Sequence, residues 1–209
     1  MITRGAFIEQ MLRDAYGTQP NDDASLTYNL VNVWVNEGIG LAVKQNWKDS
    51  YQLEGAGYIN NSFYLTLKSL AVVPDETFLY KITLPEIPYA LGKNEGIDSL
   101  IFKDSLQRLS ADAIPLSSSQ VSYAYQMREI PNKLLYWQES QFIYCRTTIP
   151  LNNYTASIWL ISGGDSTNLD SVLNVPSDYL PVISGYVSKM LLLQRQQAKV
   201  QQTNDGVEN

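Results

Sequence analysis

The hydrophobic period of this chain changes twice, and that limits its fold more than any other feature. Residues 3–47 space their apolar side chains as a helix does, residues 63–161 alternate as strands do, and residues 180–193 return to the helical spacing. A helix-period segment does not settle as a strand, nor the reverse. The sequence therefore predicts an α+β protein, with N- and C-terminal helices packed together and an antiparallel β-sandwich or barrel-like domain inserted between them. The expected parts are a helical region over 1–56, a β insertion over 57–165 and a C-terminal helix over 166–200 that packs on the N-terminal helices. A polar, flexible tail is expected over 201–209.

In the first helix Thr3 serves as N-cap, and Ile8, Met11, Leu12, Ala15 and Tyr16 form one stripe. Gly17 closes it and Pro20 prevents its continuation. A second helix is expected from Asn21-Asp22-Asp23-Ala24-Ser25, where the two acids suit the N-terminal dipole, to about Trp47. Lys44, Gln45, Asn46 and Lys48 then fall at its C-terminal end, where cations suit the dipole. Leu26, Leu30, Val33, Trp34 and Leu41 lie along one side, while Val31, Val35, Ile39 and Ala42 lie off it. Gly38 and Gly40 each cost about 1 kcal/mol inside a helix, so the helix breaks there or another backbone comes close. A helix apolar on two faces needs two partners. Leu30, Val31, Trp34 and Val35 are therefore expected to meet a neighbouring subunit. The last helix takes Asp178 as N-cap and Pro181 in its first turn, with Leu180, Ile183, Val187, Met190 and Leu191 as its stripe.

Between the helices, strands are expected at Phe63–Val73, at Thr77–Leu84 with Phe78, Tyr80, Ile82 and Leu84 on one face, at Gly96–Phe102 and at Val121–Met127. Leu134–Trp137 and Gln141–Cys145 read as a hairpin around Glu139-Ser140, and Tyr154–Ile161 as the last strand.

The chain has no histidine and one cysteine. Ser-His-Asp and Cys-His catalysis lack their base, a His/Cys zinc site lacks its ligands, and no disulfide can form within one chain. Asp165-x-x-Asn168-x-Asp170 gathers oxygens but lacks the spacing of a calcium loop, so it reads as a polar turn. Gly163-Gly164-Asp165-Ser166 lacks the lysine of a phosphate cradle and also reads as a turn. Asp22-Asp23 is explained by helix capping, and Cys145 by burial as a small apolar residue. The expectation is a protein that is not an enzyme, with no catalytic residue, cofactor or metal. Charged residues are 17% of the chain, the net charge is −6 and no Lys/Arg run exists, so nothing here grips nucleic acid. The 14 tyrosines and 4 tryptophans suit either a β-sheet or buried contacts between proteins. The opening Met1-Ile2-Thr3-Arg4-Gly5 lacks the apolar stretch of a secretory leader, and no run approaches a membrane span, which points to a cytosol-like compartment.

Several stretches resemble structural proteins of crAss-like bacteriophages, which have short tails. They are Ile2-Thr3-Arg4, Leu12-Arg13-Asp14-Ala15-Tyr16-Gly17, Pro20-Asn21-Asp22-Asp23-Ala24-Ser25-Leu26-Thr27 and Ala42-Val43-Lys44-Gln45-Asn46. In the β region Leu84-Pro85-Glu86-Ile87-Pro88-Tyr89-Ala90-Leu91-Gly92 and Gly96-Ile97 are similar too. The resemblance covers the two N-terminal helices best. It implies a virion protein of the portal–tail junction, a head–tail connector or adaptor made in the host bacterial cytoplasm. Such adaptors form twelve-fold rings under the portal and send a C-terminal segment against it, which casts Gln201, Gln202 and Val207 as portal-side contacts. The implied partners are further copies of the chain, the portal protein, other neck and tail rings, and DNA that passes through the channel during ejection without sequence-specific binding. The large β insertion departs from the smallest adaptors. The competing expectation is a non-catalytic β-sandwich binding module that stacks Trp and Tyr on carbohydrate. A glycosidase using only Asp and Glu stands third.

Overall fold

The computed structural model of the chain describes residues 2–17, 28–89, 96–104, 106, 113–126 and 133–205, with residues 118, 126 and 198–205 described by backbone only. The elements in chain order are α1 (Arg4–Tyr16), α2 (Tyr28–Glu54), β1 (Tyr64–Ala71), β2 (Val73–Glu76), β3 (Leu79–Thr83), β4 (Ile97–Lys103), β5 (Ala113–Pro115), α3 (Ser118–Gln126), β6 (Leu134–Glu139), β7 (Phe142–Arg146), β8 (Thr155–Ile161) and α4 (Leu180–Asp205). The fold class is α+β, and neither sheet closes into a barrel. The chain divides into a helical unit, Met1–Phe63 with Gly163–Asn209, and a β unit, Tyr64–Ser162.

The β unit thus begins at Tyr64 rather than 57 and ends at Ser162 rather than 165. Hydrogen bonds from the end of α2 explain the shift. Tyr58 N–H donates to Ser50 Oγ at 2.9 Å, and Asn60 N–H to Asn46 Oδ1 at 2.8 Å. Phe63 is fully buried beside Tyr179, at a ring separation of 5.9 Å. Residues 57–63 therefore belong to the helices.

In the helical unit, Thr3 Oγ1 accepts the Ala6 N–H at 3.3 Å and caps α1. Gly17, at φ +72°, closes the helix through its N–H to Arg13 O. Helix α2 runs unbroken through Gly38 and Gly40 to Glu54, past the expected end near Trp47. Lys44, Gln45, Asn46 and Lys48 are consequently interior positions, and the expected opening at Asn21–Ser25 lies outside the described residues. A Cβ on Gly38 would sit 3.0 Å from Ile183 Cγ2 and 3.3 Å from its Cα, so Gly38 admits α4 at close range. Asp178 lies inside a 3-10 turn, Ser177–Tyr179, and is not the N-cap of α4. Helix α4 buries Ile183, Val187 and Leu191 and continues to Asp205, so the tail expected from Gln201 is helical backbone over its first five residues.

In the β unit, one sheet has the order β1-β8-β4 and is antiparallel. The other has the order β2-β3-β7-β6-β5 and is antiparallel except for β5, which runs parallel to β6. The single strand expected over Phe63–Val73 is split. β1 ends at Ala71, Val72 is buried, and the chain enters the other sheet as β2. Phe78 leaves its expected face. It sits at φ +63° in the turn between β2 and β3, 48% exposed, while Tyr80, Ile82 and Leu84 point inward. The hairpin turn between β6 and β7 is Ser140-Gln141, with Ser140 at φ +55°.

The inner faces of the two sheets meet in one core that includes Ile82, Phe102, Leu134, Ile143, Ala156 and Ile158. Val121–Gln126, expected as part of a strand, belongs to α3. The Gln120 side chain accepts the Ser117 N–H at 3.1 Å and the Ser117 hydroxyl at 3.0 Å. This capping box turns the chain into a helix before the alternating residues can pair with a strand. Helix α3 lies on the outer face of the larger sheet, where Ala124 packs with Leu79, Leu135 and Trp137.

Candidate interaction surfaces

The Asp165–Asp170 segment makes local hydrogen bonds, while Asp22-Asp23 lies outside the described residues. Asp165 Oδ1 accepts the Thr167 N–H at 2.9 Å and its hydroxyl at 2.6 Å, and Asn168 Oδ1 accepts the Asp170 N–H at 3.0 Å. The Thr167 hydroxyl bond holds the Asp165 carboxyl below the usual range. Among the described residues no group of three or more His, Cys, Asp and Glu side chains gathers to hold a metal ion. Cys145 is fully buried in the sandwich core, and burial raises its thiol pKa. Among the described residues no helix is long and apolar enough to cross a membrane.

The Gly163-Gly164 turn receives a side chain that the sequence did not single out. Arg4 is fully buried at the start of α1. One guanidinium nitrogen donates to Asn32 Oδ1 at 2.9 Å and Asn36 Oδ1 at 2.6 Å, both on α2. The other donates to the carbonyl of Gly163 at 3.1 Å. Arg4 therefore fastens α1 to α2 and to the strand of chain that returns from the β unit.

Three of the four residues expected to meet a neighbouring subunit are buried in their own chain: Val31, Trp34 and Val35. Leu30 is half-buried. These positions are covered because α2 has two partners from the same chain, α1 and α4. At about 100° per residue, its buried positions from Trp34 round to Val43 fill one arc of roughly 180°. The uncovered arc carries Val33, Leu41 and Tyr51, 50%, 43% and 54% exposed, beside Glu37, Lys44 and Lys48. Leu192 and Leu193 are likewise exposed on α4. Of the expected portal-side residues, Gln201 and Gln202 lie on the α4 backbone, with side chains outside the described set, and Val207 lies outside the described residues.

The β unit carries a second surface. Register places Ile114, Leu135, Arg146 and Leu79 in one row across the outer face of the larger sheet, with Trp137, Tyr144 and Lys81 in the next. Trp137 stacks on Tyr144 at 5.8 Å and meets the Tyr125 edge at 5.6 Å. Lys81 Nζ lies 3.8 Å above the Phe142 ring, and Arg146 lies 5.8 Å from the Tyr125 ring. Beside this cluster an open cleft of about 280 Å³ is lined by Leu116, Gln120, Tyr123, Ala124 and Leu135. Tyr123 and Tyr125 stand at the surface, 62% and 48% exposed. The readable signal for α3, and so for the cleft, was the capping box Ser117-Ser118-Ser119-Gln120.

Two tyrosines make this unit sensitive to alkali. Burial, helped by the nearby Asp98 carboxylate, raises the Tyr64 phenol to about 12, and its hydroxyl donates to Asp98 Oδ1 at 3.3 Å. Burial in the sandwich core raises Tyr136 to about 12. Both values exceed the ordinary 10.0, so folding favours the neutral phenols. Their contribution is fully present below pH 10 and is lost as pH rises through about 12. The urea midpoint is expected to fall over that window, and Tyr136→Phe is expected to flatten the fall. A midpoint flat to pH 12 would contradict this assignment.

No protein-family profile and no curated protein matches the chain.

Proposed function

We propose that this chain is a structural ring subunit of a phage portal–tail junction, one that extends the DNA channel and links portal to tail. The observation that carries the reading is the helical unit. It is made from the N-terminal and C-terminal parts of the sequence, and the described residues of the N-terminal phage-like stretches, 2–4, 12–17 and 42–46, lie in it. Thr3 caps α1, Arg4 clasps three segments and Gly17 closes the helix. That unit leaves Val33, Leu41 and Tyr51 of α2 and Leu192 and Leu193 of α4 uncovered. Apolar and aromatic side chains set among charges are the composition of a contact between proteins. These exposed residues, rather than Val31, Trp34 and Val35, are the helical surface offered to neighbouring copies.

A ring subunit presents different patches to its two neighbours, and rotation closes the contact. The net charge of −6 suits a wall past which DNA slides without being held. The C-terminal segment bearing Gln201, Gln202 and Val207 is assigned to the portal side. Quantitative mass spectrometry and cryo-electron microscopy of particles test the reading. About twelve copies in a ring at the portal are expected. One copy per particle, or a protein absent from particles, would refute it.

A further inference from the structure

We infer that the tyrosine-rimmed cleft of the β unit receives the Pro85–Pro88 loop of a second copy of this chain, with Ile87 as the inserted side chain. This deepens the ring reading by naming a contact between adjacent subunits.

The loop is a preformed knob. Ile87 is 61% exposed, yet the chain around it is fixed on both sides. Before it, Leu84 N–H donates to Gln141 O at 2.8 Å, and the Ser162 hydroxyl donates to the Glu86 carboxylate. After it, Pro88 is buried and Tyr89 N–H donates to Ile161 O at 3.1 Å. Proline at both flanks narrows the backbone further. A fixed backbone holding an aliphatic side chain in water loses little freedom on binding, and this favours association.

The cleft is the matching hole. Its volume of about 280 Å³ is just below the range of small-molecule sites and suits one branched aliphatic side chain with the chain beside it. Leu116, Ala124 and Leu135 supply apolar walls. The Tyr123 hydroxyl and the Gln120 amide N–H groups are donors. A proline-flanked segment offers mainly carbonyl acceptors, so the polar groups match as well. The charges agree in sign: the loop carries Glu86, which also accepts the Ser162 hydroxyl, and Arg146, which also donates to the Tyr125 carbonyl, stands opposite Leu135 across the β6–β7 pair. Knob and hole are different patches of one unit. The contact is therefore heterologous and propagates from copy to copy, as a ring requires.

Sedimentation equilibrium of the purified full chain tests the contact, with circular dichroism to confirm folding. The wild-type chain is expected to self-associate, and Ile87→Asp and Tyr123→Ala are each expected to weaken association at least about tenfold. Both sites are exposed, so neither change removes core. Mixing Ile87→Cys with Tyr123→Cys under mild oxidation is expected to give the mixed disulfide dimer, and Ile87→Cys mixed with Thr66→Cys is not. Oligomers that neither substitution weakens would overturn the contact. So would a wild-type chain that stays monomeric at about 1 mM. In both cases the ring reading is still decided separately, by copy number in particles.

Discussion

Replacing Arg4 with methionine is expected to lower the stability of the helical unit by about 3–5 kcal/mol. Methionine keeps much of the length and apolar stem of arginine, so the change chiefly removes the guanidinium. That group is fully buried and, from its place on α1, serves acceptors in two other segments, α2 and the Gly163-Gly164 turn. Hydrogen bonds from a charged donor are worth about 1.5–3 kcal/mol each, and the loss takes this donor from the partly buried Asn32 and Asn36 oxygens and the buried Gly163 carbonyl. Asn32 is tied to the same turn, since its amide donates to Ser166 O at 2.8 Å, so part of the assembly persists. Arg4→Lys keeps the charge, but its compact ammonium cannot fork between two asparagines and a carbonyl. An intermediate loss is expected for it. Urea unfolding gives the size of the effect, and hydrogen exchange locates it in α1 and the turn. An unchanged midpoint for Arg4→Met would show that the clasp contributes nothing net.

What the sequence revealed and what it concealed follow from the range over which each signal acts. The stripe of α1 and the αL residue Gly17 are local, and both helix and stop were readable from a few neighbouring residues. The strands β3, β6, β7 and β8 were readable for the same reason, because alternation is visible within one strand. Arg4 was concealed because its partner Gly163 lies 159 residues away in sequence. Nothing near Arg4 marks it as buried. Helix α3 was misread because Val121-Ser122-Tyr123-Ala124-Tyr125 alternates like a strand, while Ser117 and Gln120 act at the helix end and prevail. Phe78 shows the same competition on a smaller scale, for the turn takes it out of the alternating row. The interaction surfaces were the least legible part. The pattern of α2 shows that two faces are apolar, but which apolar residues stay uncovered depends on where α1 and α4 pack. Read from the sequence, Val31, Trp34 and Val35 are expected at a subunit contact, because the pattern does not count the partners already present in the chain.

The second large effect is expected at Trp137, where substitution by alanine should cost about 3–5 kcal/mol and loosen α3 before the sandwich itself opens. Trp137 is 2% exposed and among the largest buried side chains of the described residues. Its ring joins Tyr144 on the sheet to Tyr125 on α3, and its Nε1–H donates to Glu139 Oε1 at 2.9 Å. Helix α3 has only nine residues, too few to persist without packing. Without the indole, Ala124 and Leu135 lose the ring they pack beside, and the cavity is expected to be relieved by movement of the helix. The sandwich core on the opposite face of the sheet, around Ile143 and Ile158, is untouched. Local loss of α3 should therefore precede global unfolding. Trp137→Phe keeps an aromatic ring and removes the bond to Glu139, at an expected cost nearer 1 kcal/mol for the bond itself. Hydrogen exchange of the α3 amides, followed alongside thermal unfolding, separates these cases. If α3 kept its protection in Trp137→Ala while the whole unit lost stability, the helix would be held by Leu116 and Val121 instead. The cleft that Tyr123 rims would then survive without the indole beneath it.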